Sequence, residues 1–313
     1  MTKVSSASRW TKIIVIVGPT ASGKSDLAIK LARKYHGEII SADSRQVYLG
    51  MNIGTGKVTK KEQKIVKHYL LDAVSPKKQF TADAFKKLGE KASQEITAKH
   101  KIPIIVGGTG FYIDILLDRM AVAEVPPNKN IRTKLEKQSA EQLFKQLQKL
   151  DPRRAKNIDK HNKRRLVRSL EIVLITGKLV PPKQTYNIQH TTYNILWIGL
   201  RSKNLEKRIK IRLDKRLSQG MIREVERLHQ QGVSWKRLDD FGLEYRWISR
   251  YLQKVGSRKL KVERFKDSEY YKELLRDIVR YSKRQMTWFK RNKEITWIKN
   301  EREATKLVKH FVL

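Results

Sequence analysis

Gly18-Pro19-Thr20-Ala21-Ser22-Gly23-Lys24-Ser25 stands between an apolar run, Ile13 to Val17, and a helical pattern that carries Leu27, Ala28, Leu31 and Ala32. The spacing G-x-x-x-x-G-K-[ST], with strand before and helix after, predicts a phosphate-cradling P-loop. Its glycines let backbone N–H groups turn inward around a phosphate. The helix that opens near Lys24 adds the positive end of its dipole. Lys24 reaches a terminal phosphate, and the Ser25 hydroxyl suits Mg²⁺. Residues 18 to 25 are therefore expected at a diphosphate or a nucleotide. The motif does not say which phosphate compound it holds.

The residues on either side extend the same reading. Glu38 to Ala42 is a second apolar stretch and ends at Asp43-Ser44. Thr81 to Lys99 has helical periodicity through Phe85, Leu88, Ala92 and Ile96, with Thr81 as its cap. Ile102 to Val106 is a third short strand and runs into Gly107-Gly108-Thr109-Gly110. Strands alternating with helices imply a parallel sheet, with ligands at the carboxyl ends of its strands. The loops at 18–25, 43–46 and 107–110 are expected to converge on one cleft.

Composition changes at Val125-Pro126-Pro127. Residues 128 to 177 are helical, basic and poor in strand signals, and the segment closes at Gly177 and Pro181-Pro182. Tyr193 to Leu200 returns as a strand. Leu205 to about Gln230 reads as one long helical stretch, with Arg208, Arg212 and Arg216 on one face. Phe241 to Leu252 and Glu269 to Lys290 are further helices, Ile295 to Ile298 a late strand, and Glu301 to Phe311 a last helix. The division expected is an α/β core of residues 1–118 and 187–313 around an inserted helical subdomain of residues 119–186.

The chain has 313 residues, 69 Lys+Arg against 31 Asp+Glu, and a formal charge of +38. So strong a positive field favours a polyanionic partner over a solvated surface alone. Arg153 to Arg168 holds eight basic residues and one acid, and Lys283 to Lys293 five basic residues around Trp288 and Phe289. Basic side chains beside aromatics suit phosphate contacts with base stacking. There are no cysteines, which removes disulfides and Cys-based metal sites and fits a reducing compartment. No apolar run approaches the length of a membrane span, and Met1 to Lys12 lacks the apolar segment of a signal peptide.

A P-loop ATPase normally carries an acid at the end of an apolar strand to hold Mg²⁺. Ile-Pro-Ile-Ile-Val-Gly-Gly at 102–108 carries none. Asp43 follows the second strand instead, where it faces the cleft opposite the phosphates and can accept a proton from a nucleophile. A turn-forming Asp would occupy the same position. Two reaction classes fit: phosphoryl transfer from ATP to a small acceptor, and attack on a carbon that bears a diphosphate held by the P-loop. A non-catalytic RNA-binding protein with a relic P-loop is a third reading, opposed by the intact Lys24, Ser25 and Asp43.

GPTASGKS (18–25), SADSRQVY (41–48), GMNIGTGK (50–57), IPIIVGGTGFY (102–112) and KRQMTWF (283–289) occur in the order seen in tRNA dimethylallyltransferases, also called isopentenyl-tRNA transferases. HYLLD (68–72) and RRLVRSLEI (164–172) also resemble that family. The resemblance runs from about Ile13 to Trp297. It implies a P-loop NTPase-like parallel sheet with an inserted tRNA-binding subdomain. It further implies transfer of a dimethylallyl group from dimethylallyl diphosphate to N6 of adenosine 37, beside the anticodon, in tRNAs that read codons starting with U. The adenine is flipped into a channel, because a stacked base cannot reach a buried electrophile.

Asp43 then matches the general base, Thr109 a channel residue near the amine, and Lys24, Ser25, the loop amides and Mg²⁺ the diphosphate site. Arg212 matches an arginine that also binds the diphosphate, where negative charge grows in the transition state. Ser44, Arg45 and Gln46 match contacts to the flipped base and its neighbours. Arg132, Arg164, Arg165, Arg168, Tyr245, Arg246, Lys283, Arg284, Gln285, Thr287, Trp288 and Lys290 fall in segments that contact the anticodon stem-loop. Phe241-Gly242-Leu243-Glu244-Tyr245-Arg246 departs from the family's shorter I-G-Y-[KR]-[EQ]. The zinc finger of eukaryotic members is absent, which implies a bacterial-type, cytoplasmic enzyme, monomeric like its family.

Overall fold

The computed structural model describes residues 11–120, 125–181, 193–256 and 262–313. Pro182, the boundary expected between residues 186 and 187, and most of the polar stretch expected to lack a leader (residues 1–10) lie outside the described residues. The chain divides into two compact units, Met1–Leu116 with Thr191–Leu313, and Leu117–His190.

The first unit is α/β. Its elements up to the second unit are β1 (Thr11–Val17), α1 (Lys24–Lys34), β2 (Gly37–Ser41), α2 (Lys60–Ile65), β3 (His68–Tyr69), α3 (Ala82–Ala98), β4 (Ile102–Gly107) and α4 (Gly110–Leu116). The second unit holds α5 (Lys129–Glu136), α6 (Ala140–Leu150), α7 (Pro152–Lys156) and α8 (Lys163–Thr176). The chain returns to the first unit in β5 (Tyr193–Leu200), α9 (Leu205–Ser218), α10 (Met221–Gln230), α11 (Trp235–Phe241), α12 (Leu243–Val255), α13 (Val262–Lys266), α14 (Glu269–Phe289), β6 (Thr296–Ile298) and α15 (Glu301–Val312).

Six parallel strands form one sheet in the order β3-β2-β4-β1-β5-β6. The chain leaves β1 towards β2 on one side and leaves β4 towards β5 on the other. The crevice at the carboxyl ends of β1 and β4 is therefore a topological switch point, where open α/β sheets bind ligands. Ile14, Ile16, Ile104, Val106 and Ile198 from the sheet pack with Leu27, Ala28 and Leu31 of α1 and with Ala304 and Val308 of α15. Each large aliphatic side chain buried this way contributes roughly 1.5–3 kcal/mol. Register places the loops at one level, with Val17 beside Gly107 and Ser41 beside Val106. Only glycine fits at 107: a Cβ there would lie 2.1 Å from the Ala42 carbonyl oxygen.

The Thr81 side chain caps α3 by accepting from the Ala84 N–H, and Gly177 ends α8 in a left-handed conformation. The single helix expected from Leu205 to about Gln230 is two helices. Gly220, at φ 97°, breaks the run, because that conformation cannot continue a right-handed helix. The helix expected to open at Phe241 opens at Leu243 instead, since Phe241 closes α11 and Gly242 lies between them at φ 75°. Helices α2, α4, α11 and α13 and strand β3 carry too short a period to be read from the sequence.

In the second unit Leu135, Leu143, Leu147, Leu166 and Leu170 form the core. The fully buried Glu171 carboxylate is bonded by Arg132 Nε at 2.8 Å, Arg168 Nη1 at 2.6 Å and the Asn128 N–H at 2.7 Å. Burial alone would push its pKa up, but these donors hold it below the usual carboxylate value.

Candidate active site

The loop between β1 and α1 wraps the floor of a cavity of about 400 Å³. Gly18 and Gly23 lie at positive φ, and Gly23 caps α1, whose first turn carries Asp26. Thr20, Ala21, Gly23, Lys24 and Ser25 line the cavity. The Ser22 N–H donates to the Pro19 carbonyl at 3.3 Å, while the buried Ser22 Oγ has no partner among the described residues. Lys24 Nζ donates to the same Pro19 carbonyl at 3.2 Å.

Helix α9 closes one side with three arginines a turn apart. Arg208 Nε donates to the Ala21 carbonyl at 2.9 Å, Arg212 lines the cavity, and Arg216 Nη1 donates to the Gly54 carbonyl at 3.2 Å and to Glu244 Oε1 at 3.0 Å. All three line the cavity. Sequence reasoning singled out only Arg212; the i, i+4, i+8 spacing was the signal for the other two. Burial, and then the neighbouring Arg212 and Arg216, lower Lys24 to about 8, with Asp43 opposing. Burial, and then Arg216, lower Arg212 to about 10. Cations that depress one another in this way would each be relieved by a bound polyanion.

Asp43 lines the same cavity. Its Oδ1 accepts from the backbone N–H groups of Arg45 at 2.8 Å and Gln46 at 3.3 Å, which closes a turn. Its Oδ2 has no hydrogen-bond partner among the described residues. Asp43 is thus a turn former with one oxygen, and the other stays available to a ligand. Thr109 Oγ1 accepts from the Ser44 N–H at 3.3 Å, which joins the loop after β4 to the loop after β2. Gln46 accepts from Ser41 Oγ at 3.0 Å. The Arg45 guanidinium lies 5.7 Å from the Phe241 ring centroid. Ile39, Val58 and Val106 give the cavity an apolar wall.

The segment 50–57 is held from below by Glu224. This buried carboxylate accepts from the Asn52, Ile53 and Gly54 N–H groups at 2.7–3.0 Å and from the Tyr245 hydroxyl at 2.8 Å. Replacing Glu224 by alanine is expected to strand those donors and to cost about 3 kcal/mol, or roughly 6–12 °C in Tm. Thermal unfolding followed by circular dichroism checks it, and a shift under about 2 °C would contradict this account of the loop.

The remaining site residues fall on two kinds of position. Lys283, Arg284, Thr287 and Lys290 are exposed along α14, and Arg164 and Arg165 are exposed at the start of α8. Arg246 is half-buried and donates to the Asp239 carbonyl, and Trp288 Nε1 donates to Asp114 at 2.9 Å. Arg132 and Arg168 are engaged by Glu171. Tyr245 and Gln285 differ from the expectation of RNA contact. Tyr245 is 1 % exposed and bonded to Glu224, and Gln285 is 6 % exposed and bonded to two backbone groups. Side chains so enclosed have no surface to offer a macromolecule. Tyr281, one turn before Gln285, was missed: the Tyr281 hydroxyl is within hydrogen-bonding reach of Thr109.

Residues 46–292 match the profile of a known family, described as IPP transferase. The chain belongs to the IPP transferase family. It is a prenyl-transferring enzyme, and of the reaction classes open to a P-loop chain this selects alkyl transfer. It is 38% identical over 286 residues to the tRNA dimethylallyltransferase of Acetivibrio thermocellus, with 89% of this chain and 88% of that one covered. Among solved structures, the tRNA isopentenylpyrophosphate transferase of Staphylococcus epidermidis superposes with a TM-score of 0.67 and 34% identity, covering 96% of this chain and 99% of that one. A eukaryotic dimethylallyltransferase caught acting on tRNA gives a TM-score of 0.73 at 26% identity, covering 89% and 70%. These relatives share with this chain the P-loop NTPase-like sheet. No helix among its described residues is long and apolar enough to cross a membrane.

Proposed function

We propose that this IPP transferase moves a dimethylallyl group from dimethylallyl diphosphate to N6 of adenosine 37 in tRNAs that read codons starting with U, and releases diphosphate. One observation carries the reading: a single cavity is lined by the P-loop with Lys24, Arg212 and Arg216, by Asp43, and by the apolar Ile39, Val58 and Val106. An allylic diphosphate has both features, a polyanionic head and a short hydrocarbon tail.

The diphosphate lies along residues 18–25, on the amides at the start of α1. Lys24 and Arg212 meet the charge that grows on it as the carbon–oxygen bond breaks. Ile39, Val58 and Val106 cover the allyl chain and exclude water that would compete as a nucleophile. Asp43 takes a proton from the attacking N6 amine, and Thr109 accepts or donates a hydrogen bond beside it. Mg²⁺ fits this donor set. Ser25 Oγ lines the cavity with no partner among the described residues, and Mg²⁺ is usually held by one or two protein oxygens, substrate phosphates and water. Bound there, it would neutralise part of the diphosphate charge.

The exposed basic residues of α14 and α8, with Arg45 and Ser44 at the cleft, bind the anticodon stem-loop. Replacing Arg164 and Arg165 together by alanine is expected to weaken RNA binding and to flatten its salt dependence by roughly one unit per lost phosphate contact. Filter binding from low to moderate salt reads the slope, and an unchanged slope would place both residues away from RNA. The enzyme acts as a cytoplasmic monomer.

The test of the whole reading uses purified protein, Mg²⁺, dimethylallyl diphosphate and a tRNA with adenosines at positions 36 to 38. The RNA is digested and its nucleosides are weighed. N6-(dimethylallyl)adenosine from position 37 is the expected product. RNA bound without product would point to another allylic donor, and consumption of ATP with a small acceptor to a kinase.

A further inference from the structure

Gln285 lies four residues before the end of α14 and its carboxamide is occupied at both ends. Oε1 accepts from the Thr20 N–H at 2.8 Å, and Nε2 donates to the Gly108 carbonyl at 2.9 Å. Thr20 belongs to the phosphate loop after β1, and Gly108 to the loop after β4. The two strands are paired only as far as Val17 and Gly107. Past that point the ladder ends and the loops part. The carboxamide bridges the two loops just past that point, accepting from the phosphate loop and donating to the loop after β4.

The contact reaches further on both sides. Lys24 Nζ donates to the carbonyl of Pro19, the residue before Thr20. Tyr281 shares the inner face of α14, one turn earlier, and its side chain lies beside Gln285 and Thr109. Thr109 in turn receives the Ser44 N–H, next to Asp43. Hydrogen bonds thus tie Gln285 to the loops after β1 and β4, and Thr109 of the second of these to the loop that carries the proposed base, with Tyr281 beside them.

We infer that Gln285, supported by Tyr281, is a positioning residue that locks the phosphate loop to the 107–110 loop and so sets the separation between the departing diphosphate and the acceptor amine. It touches neither substrate. The inference rests on the prenyl-transfer reading for its consequence, but the lock itself is a property of the two loops. Misplacement of reacting groups by about 1 Å costs on the order of 10²-fold in rate, so a lock of this kind belongs at the point where two substrates meet.

The experiment compares wild-type protein with Gln285→Met, Gln285→Glu and Tyr281→Phe. Binding of inorganic pyrophosphate with Mg²⁺ is measured by calorimetry, donor-free tRNA binding by filter retention, and turnover with dimethylallyl diphosphate. Gln285→Met keeps the length and loses both bonds. It is expected to bind pyrophosphate about tenfold more weakly and to turn over about 10²-fold more slowly, with tRNA affinity within about twofold of wild type. Gln285→Glu keeps the acceptor for Thr20 but sets an oxygen against the Gly108 carbonyl, so it should lose more than the methionine variant. A residue that only fills space would show no such order between two side chains of equal length. Tyr281→Phe is expected to lower kcat about tenfold and to leave pyrophosphate binding unchanged. Should Gln285→Met fail to fold by its melting curve, the other two variants carry the test. Pyrophosphate affinity unchanged in the folded Gln285 variants overturns the inference. So does tRNA affinity that falls in step with turnover, since that marks a direct RNA contact. A wild-type protein that binds pyrophosphate but prenylates no RNA defeats the proposed function instead, and the pyrophosphate comparison still judges the lock.

Discussion

Asp43→Asn is expected to lower turnover by ~10²–10⁴-fold while leaving tRNA affinity and melting temperature near wild type. Asparagine is the informative replacement because of what each oxygen does. Oδ1 closes the turn by accepting from the Arg45 and Gln46 N–H groups, and an asparagine carbonyl does the same. Oδ2 has no hydrogen-bond partner among the described residues, and in asparagine it becomes an amide that cannot take a proton. Asp43→Ala loses both functions. It should show the same fall in turnover and, in addition, a destabilisation of about 1 kcal/mol from the opened turn. Single-turnover rates with saturating tRNA, filter binding and a melting curve separate the two variants. Activity of Asp43→Asn within about tenfold of wild type would reduce Asp43 to a turn former and return the search for the base to the other groups of the cavity.

Lys24→Met should reduce kcat/KM for the allylic diphosphate by ~10²–10³-fold, since it removes a charged donor aimed at the leaving group. The wild-type pH profile carries a second, sharper expectation. In the free enzyme Lys24 is lowered to about 8 by burial and by the adjacent Arg212 and Arg216. A diphosphate binds the ammonium form. Below pH 8 that form is already present, and the profile is flat on this account. Above it, binding must take up a proton, so log kcat/KM falls with a slope of about −1. Arg212, lowered to about 10, steepens the fall at higher pH. The donor's own last phosphate ionisation, near pH 6, lies outside this window. Lys24→Met should lose the limb that begins near pH 8 and keep the later one. Calorimetry of donor binding at pH 9 in two buffers of different ionisation enthalpy should show uptake of about one proton by the wild type only. A wild-type profile flat to pH 10 would mean that Lys24 stays fully charged in the free enzyme.

Much of the frame was legible because its signals are local. The strand–loop–helix around residues 18–25, the apolar runs of β2, β4 and β5, and the Thr81 cap depend on neighbours a few residues apart, and propensity and periodicity act over that range. Helices α2, α4, α11 and α13 escaped because five to seven residues hold less than two turns. The break at Gly220 escaped because an isolated glycine in a helical pattern is often tolerated.

The candidate site divides in the same way. Lys24, Ser25 and Asp43 could be named in advance because the parallel sheet brings every βα loop to the same edge, while Thr109 was named by the family resemblance. The orientation of α9, α10 and α14 had no such rule. Whether Arg208 and Arg216 meet solvent or the phosphate loop depends on the angle at which α9 packs, and an i, i+4, i+8 stripe is silent on that. Glu224 reads in sequence as one more acid on an amphipathic helix, and only the fold sets it under three backbone N–H groups of a loop 170 residues earlier.

By itself the sequence of this enzyme determined a parallel α/β unit with a P-loop sequence after its first strand, a basic helical segment, and an acid after the second strand. The tertiary structure decided which charges converge and which side chains are withdrawn from the surface. KRQMTWF is the clearest case. Its exposed residues remain candidates for RNA, while Gln285 turns inward to join two loops that lie 265 and 177 residues earlier in the chain. Burial and long-range hydrogen bonding are set by the packing of whole elements, and no pattern within a window of a few residues carries that information.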